Sequence, residues 1–121
     1  MKPEIKILIV EDEFLTALLM QKELKRVGYK ITEHVSTGQS AIDSVKNNPP
    51  DVILMDINLG GAIDGIGAAK QIRSSQSIPV IFVTGYTDKE TKEKAQSIDP
   101  LGYLIKPVEI NQIKEIIESK L

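Results

Sequence analysis

Five short apolar runs rich in β-branched residues recur along this chain, each followed by a segment whose apolar residues fall at helical spacing. That alternation restricts the fold to a parallel sheet with helices on both faces. The runs are residues 5–10, 30–35, 52–55, 80–83 and 102–105, each too short for a helix of ordinary length. Their near-continuous apolar character suits strands covered on both sides. At 121 residues the chain is the size of one domain, and one domain over residues 1–121 is expected.

The first helix is predicted over residues 13–27, because Phe14, Leu15, Leu18, Leu19 and Leu24 recur at helical spacing and Gly28 follows as a stop. Acidic residues at its start and Lys22, Lys25 and Arg26 near its end complement the helix dipole. Ser36 with Gln39 three residues on announces a second helix that ends before Asn47, Asn48, Pro49 and Pro50. A third is predicted over 65–74. The last, over 109–121, carries Ile110, Ile113, Ile116 and Ile117 on one stripe, and it runs to the final residue, so any output domain is expected either outside this chain or not at all. The fourth, over 88–98, differs. Thr87 and Glu90 offer it a capping box, yet Ala95 and Ile98 are almost its only apolar residues. A weakly anchored helix is the natural moving part of a switch.

Net charge is −2 and the basic residues are interspersed with acidic ones, which argues against direct nucleic-acid binding. The absence of cysteine removes disulfides, thiolate nucleophiles and Cys-ligated zinc. The apolar run near the N-terminus reaches only from Ile7 to Val10, too short for a signal peptide or a membrane span, so a cytoplasmic protein without membrane association is expected. The one histidine, His34, lies on the second strand and is read as structural, away from the acidic residues.

Ligands of an open parallel sheet bind at the carboxyl ends of its strands. Glu11 and Asp12 follow the first strand here, Asp56 the third, Thr84 the fourth and Lys106 the fifth. Alone, each has an ordinary reading: acidic residues at a helix start, a turn aspartate, a strand threonine, a surface lysine. Together they place three carboxylates in one crevice, where they either take up protons or bind a hard cation such as Mg²⁺ or Mn²⁺. A carboxylate beside such a cation and a lysine is a nucleophile suited to phosphorus. The expected division of labour gives Asp56 the attack, Glu11 and Asp12 the metal, and Lys106 and Thr84 one phosphoryl oxygen each.

These residues resemble the receiver domain of two-component response regulators over the whole chain, through "ILIVEDE", "DVILMDINL", "VIFVTGY" and "GYLIKP" in the family's order. The resemblance implies a flavodoxin-like (βα)5 fold with strand order 2-1-3-4-5. It implies Mg²⁺-dependent transfer from a phosphohistidine on a sensor histidine kinase or phosphotransfer protein to Asp56, followed by slow self-catalysed hydrolysis: a phosphoacceptor switch rather than a turnover enzyme. Asn58 would lend its backbone carbonyl to the metal, and its side chain, with Tyr86, would tune the hydrolysis rate. Thr84 would move toward the phosphoryl group, Tyr103 would turn inward, and the surface of the fourth helix, fifth strand and fifth helix would change for an output partner or a homodimer. The bond before Pro107 is expected to be cis.

The chain departs from the family pattern after Asp56, where Gly60, Gly61, Ala62 and Ile63 precede Asp64 and Gly65 in a loop one residue longer and expected to be more flexible. Gly85 leaves room beside Thr84, and Val108 replaces a common Phe. A phosphatase using an Asp nucleophile fits less well, because Asn58 stands where such enzymes carry a second Asp. A binding module that acts without phosphorylation is the other alternative.

Overall fold

The computed structural model describes residues 4–85 and 88–121. Its elements follow in strict alternation: β1 (Lys6–Val10), α1 (Phe14–Arg26), β2 (Lys30–Val35), α2 (Gly38–Asn47), β3 (Val52–Asp56), α3 (Gly65–Ser75), β4 (Val80–Thr84), α4 (Lys89–Gln96), β5 (Gly102–Ile105) and α5 (Ile110–Lys120). The strands form one parallel sheet in the order β2-β1-β3-β4-β5, the flavodoxin-like order expected from the sequence. The chain reverses direction across the sheet between β1 and β3, which leaves a crevice at their carboxyl ends.

Every residue of β3 and β4 is buried, as are the last four of β1, because these three strands are central and covered on both faces. Leu8, Val10, Ile53, Met55, Val80 and Phe82 pack on the side of α2, α3 and α4. Ile7, Ile9, Val52, Leu54 and Ile81 pack on the side of α1 and α5. The alternation along each strand thus divides the core into two apolar layers.

Helix α1 forms as predicted, with Gly28 ending it at φ +104°, but of the apolar residues that announced it only Leu24 lies on the buried face. Phe14, Leu15, Leu18 and Leu19 are exposed, and Ala17 and Leu24 are its buried residues. A small alanine lets the helix lie close to the sheet, and the larger apolar residues project around the contact. Helix α2 is capped by Thr37 instead of Ser36: Thr37 Oγ1 accepts from the Ser40 N–H at 3.0 Å. Helix α4 is capped by Asp88, which accepts from the Thr91 N–H at 2.9 Å; the expected cap Thr87 lies outside the described residues. Only Ala95 of α4 is buried. The isoleucine stripe of α5 faces the sheet through Ile113 and Ile117, behind a reciprocal Glu109–Gln112 capping box.

The lengthened loop after β3 is closed on a single carbonyl. The Leu59 N–H at 3.1 Å and the Gly65 N–H at 2.9 Å both donate to the Ile57 oxygen, which ties the two ends of the loop together at its base. Ile63 packs against the core layer beside α2 and α3, and a Cβ on Gly38 would approach its oxygen to 2.9 Å. The loop expected to be flexible is therefore pinned at Ile63, and its open part is Gly60 and Gly61.

Candidate functional site

Strands β1, β3, β4 and β5 are consecutive neighbours in the sheet, so residues just past their ends meet at one edge. Glu11 continues the β1 ladder by one rung, donating its N–H to the Val35 oxygen at 3.0 Å. Asp56 is the last residue of β3 and Thr84 the last of β4, and the Lys106 N–H donates to the Thr84 oxygen at 2.8 Å, which fixes the turn out of β5. The Lys106–Pro107 peptide is cis, as expected.

Glu11 and Asp56 are 3% and 4% exposed, which requires that their charge be compensated. Lys106 compensates both: its Nζ lies 2.7 Å from Glu11 Oε1 and 3.3 Å from Asp56 Oδ2. Burial acts to lower the lysine pKa, but the hydrogen bond to Glu11 and the charges of Asp56 and Glu11 outweigh it, and the ammonium is held above its ordinary value. The other oxygens are also held. Asp56 Oδ1 accepts from the Asn58 N–H at 3.1 Å, and Glu11 Oε2 accepts from the Glu13 N–H at 3.1 Å.

Asp12 faces solvent beside this pair. Partial desolvation, then the hydrogen bond and charge of Glu11, push its carboxyl above the usual range. Oxygens of Glu11, Asp12 and Asp56 lie within 4.8 Å of one another. Three carboxylates at that spacing with one lysine carry excess negative charge, and an all-oxygen set of this kind fits a hard divalent cation such as Mg²⁺. Glu11, Asp12 and Asp56 would hold it.

Asn58 Nδ2 donates to Thr84 Oγ1 at 3.1 Å, so both sequence-selected residues border the same carboxylate. Tyr103 pairs with Phe82 across β4 and β5, half-buried against the core layer of α2, α3 and α4. Burial, then the charge of Asp88, raises its phenol pKa. Tyr86 lies outside the described residues. The expectation that His34 stands apart from the acidic residues fails: it lies near the carboxyl end of β2, beside β1, and its Nε2 is 2.9 Å from the Glu11 carbonyl oxygen. Strand order alone would have revealed that proximity, because β2 and β1 are neighbours.

Residues 7–118 match the family described as the response regulator receiver domain. Among curated proteins the chain is 31% identical over 113 residues to the transcriptional regulatory protein PdtaR of Mycobacterium tuberculosis, covering 93% of this chain and 55% of that protein. It therefore spans about half the length of that relative. It is 29% identical to the sporulation initiation phosphotransferase F of Bacillus subtilis, covering 96% of this chain and 93% of that one. Among solved structures, the signal receiver domain of a modulated diguanylate cyclase from Desulfovibrio desulfuricans G20 superposes with a TM-score of 0.90 at 34% identity, covering 96% of this chain and 92% of that one. No helix among the described residues is long and apolar enough to cross a membrane. With the sheet order and the convergent strand-end residues, these matches make the chain a member of the response regulator receiver domain family, the phosphoacceptor switches of two-component signalling.

Proposed function

We propose that the chain, as one receiver unit over residues 1–121, accepts a phosphoryl group on Asp56 from a phosphohistidine of a sensor kinase or phosphotransfer protein. The observation that carries this is the buried Asp56 carboxylate, oriented through Oδ1 by the Asn58 N–H and faced at Oδ2 by the Lys106 ammonium. A carboxylate oxygen attacks phosphorus in line, the phosphorus–nitrogen bond to the donor imidazole breaks, and an acyl phosphate forms. Lys106 neutralises charge on a transferring oxygen, and the Thr84 hydroxyl, at the end of the neighbouring strand, would donate to another. When bound, Mg²⁺ supplies the further positive charge that lets two anions approach.

A protein donor is supported by the apolar surface beside the site. Phe14, Leu15, Leu18 and Leu19 are exposed on α1, and a groove of about 470 Å³ between α1 and the loop after β5 is lined by Leu19, Met20, Lys106, Pro107 and Val108. At the β5 edge of the sheet, the hollow of about 450 Å³ formed by Lys92, Gln96, Leu101, Tyr103 and Ile105 lies on the face proposed to change when Thr84 and Tyr103 move, and it would meet an output partner or a second copy.

The test is intact mass after incubation with Mg²⁺ and acetyl phosphate. The wild type should gain one phosphoryl group and Asp56→Asn none. No gain in the wild type, or an equal gain in the variant, removes Asp56 as the acceptor.

A further inference from the structure

The backbone ladder between β1 and β2 runs one residue past β1, where the Glu11 N–H donates to the Val35 oxygen at 3.0 Å. Beyond that rung β2 leaves the sheet, and Thr37 turns to cap α2. The Glu11 carbonyl is taken up by a side chain: His34 Nε2 lies 2.9 Å from it. Because a carbonyl only accepts, Nε2 carries the proton and donates. Glu33 bonds Ser44 of α2 and Val35 packs in the layer on that side, so the imidazole between them projects from the other face of the sheet.

Glu11 is thereby held through its N–H, its carbonyl and both carboxylate oxygens, the last by Lys106 at 2.7 Å and the Glu13 N–H at 3.1 Å. The carbonyl matters most for Asp12, because it belongs to the peptide that joins the two residues, and the plane of that peptide sets where the Asp12 carboxylate is presented. Residues that orient ligands from behind govern metal affinity even though they never touch the metal.

We propose that His34 is a positioning residue for the cation site, its Nε2–H fixing the Glu11–Asp12 peptide in the orientation that brings both carboxylates to the ion. This rests on the reading of Glu11, Asp12 and Asp56 as a Mg²⁺ site. A merely structural strand-end bond would affect stability with or without the ion, whereas a positioning bond affects the affinity for it.

The experiment is calorimetric titration with Mg²⁺ of the wild type, His34→Phe and His34→Gln, with each variant's melting temperature measured in EDTA. His34→Phe should weaken Mg²⁺ about tenfold. His34→Gln, which keeps an N–H donor at comparable reach, should stay within about twofold of wild type. Should the Phe ring prevent folding, His34→Asn supplies the contrast, because its amide stops one carbon short and should bind as weakly as expected for Phe. Equal affinity in all variants, or a Gln variant as weak as Phe or Asn, would overturn the positioning role alone. A wild type that takes no Mg²⁺ would overturn it together with the reading of the acidic cluster.

Discussion

Asn58 Nδ2 donates to Thr84 Oγ1 across 3.1 Å, tying the loop after β3 to the end of β4 beside the Asp56 carboxylate. If Thr84 turns toward a phosphoryl group, this bond is exchanged and the Asn58 amide is left as a polar group able to orient a water near the acyl phosphate. Asn58→Ala should therefore slow self-hydrolysis. Loss of one hydrogen bond worth about 1 kcal/mol corresponds to roughly a fivefold longer lifetime. Intact mass followed over time after donor removal measures it, and an unchanged or shortened lifetime would sink the role.

Asp12 has its carboxyl pKa raised above 3.8 in the fold by desolvation and by Glu11. An acid whose folded pKa is raised contributes stability below its unfolded pKa, and that contribution is lost as pH rises through the folded value. At neutral pH its charge is thus a cost to the ion-free protein. Asp12→Asn should raise the melting temperature in EDTA, by a small amount because the group is exposed, and abolish most of the stabilisation by Mg²⁺. A variant that melts lower in EDTA, or keeps its Mg²⁺ response, contradicts the assignment.

Lys106 is also shifted upward, but for a base an upward shift favours the charged form. Its folded pKa is raised above 10.5, so its ion pairs stabilise the fold fully below 10.5 and cease to do so as pH rises through the raised value. Lys106→Met leaves Glu11 and Asp56 buried without their cation and should cost about 1–2 kcal/mol at neutral pH. In denaturant melts of the ion-free proteins, that deficit should shrink above pH 10.5. A deficit independent of pH would mean that packing, not charge, is lost.

Gly65 sits where α3 crosses the end of β3, and a Cβ there would come within 2.1 Å of the Asp56 carbonyl oxygen. No side chain can give way at that point, because the obstacle is backbone. Gly65→Ala should cost about 3 kcal/mol or more and shift Asp56. Gly60→Ala, with nothing within 4 Å, should be close to neutral. Chemical denaturation compares the two directly, and equal stabilities would contradict the close approach.

The same measurement tests the exposed stripe of α1. Leu15→Ser, at a residue 68% exposed, should change stability by less than about 0.5 kcal/mol. Leu24→Ala, at a fully buried residue, should cost about 2–5 kcal/mol. If the large cost falls on Leu15, the helix is rotated from the orientation described.

Strand positions were legible because the β-branched runs of β1, β3 and β4 are buried on both faces and too short for ordinary helices, whereas the sheet order followed from the family resemblance. The site was legible for a related reason: the residues past β1, β3, β4 and β5 are brought together by strand order alone. The face of α1 was not. Its large apolar residues outnumber the alanine that makes the close contact, and periodicity reports spacing without saying which side is covered. Ser36 and Thr37 offer equivalent hydroxyls, and the structure, not the motif, decides which bonds the Ser40 N–H. His34 was misread because its partner is a backbone carbonyl, which leaves no trace in side-chain identity.

Arg73 of α3 donates through one guanidinium nitrogen to the carbonyls of Ile98 and Asp99, both at 3.0 Å, just past the end of α4, where Asp99 turns the chain at φ +57°. Ala95, the buried residue of α4, lies in its last turn, close to that clamp. The helix is thus a lever with its fulcrum at the C-terminal end. A displacement of α4 that keeps these contacts would be a swing that grows toward Lys89, smallest at the turn into β5.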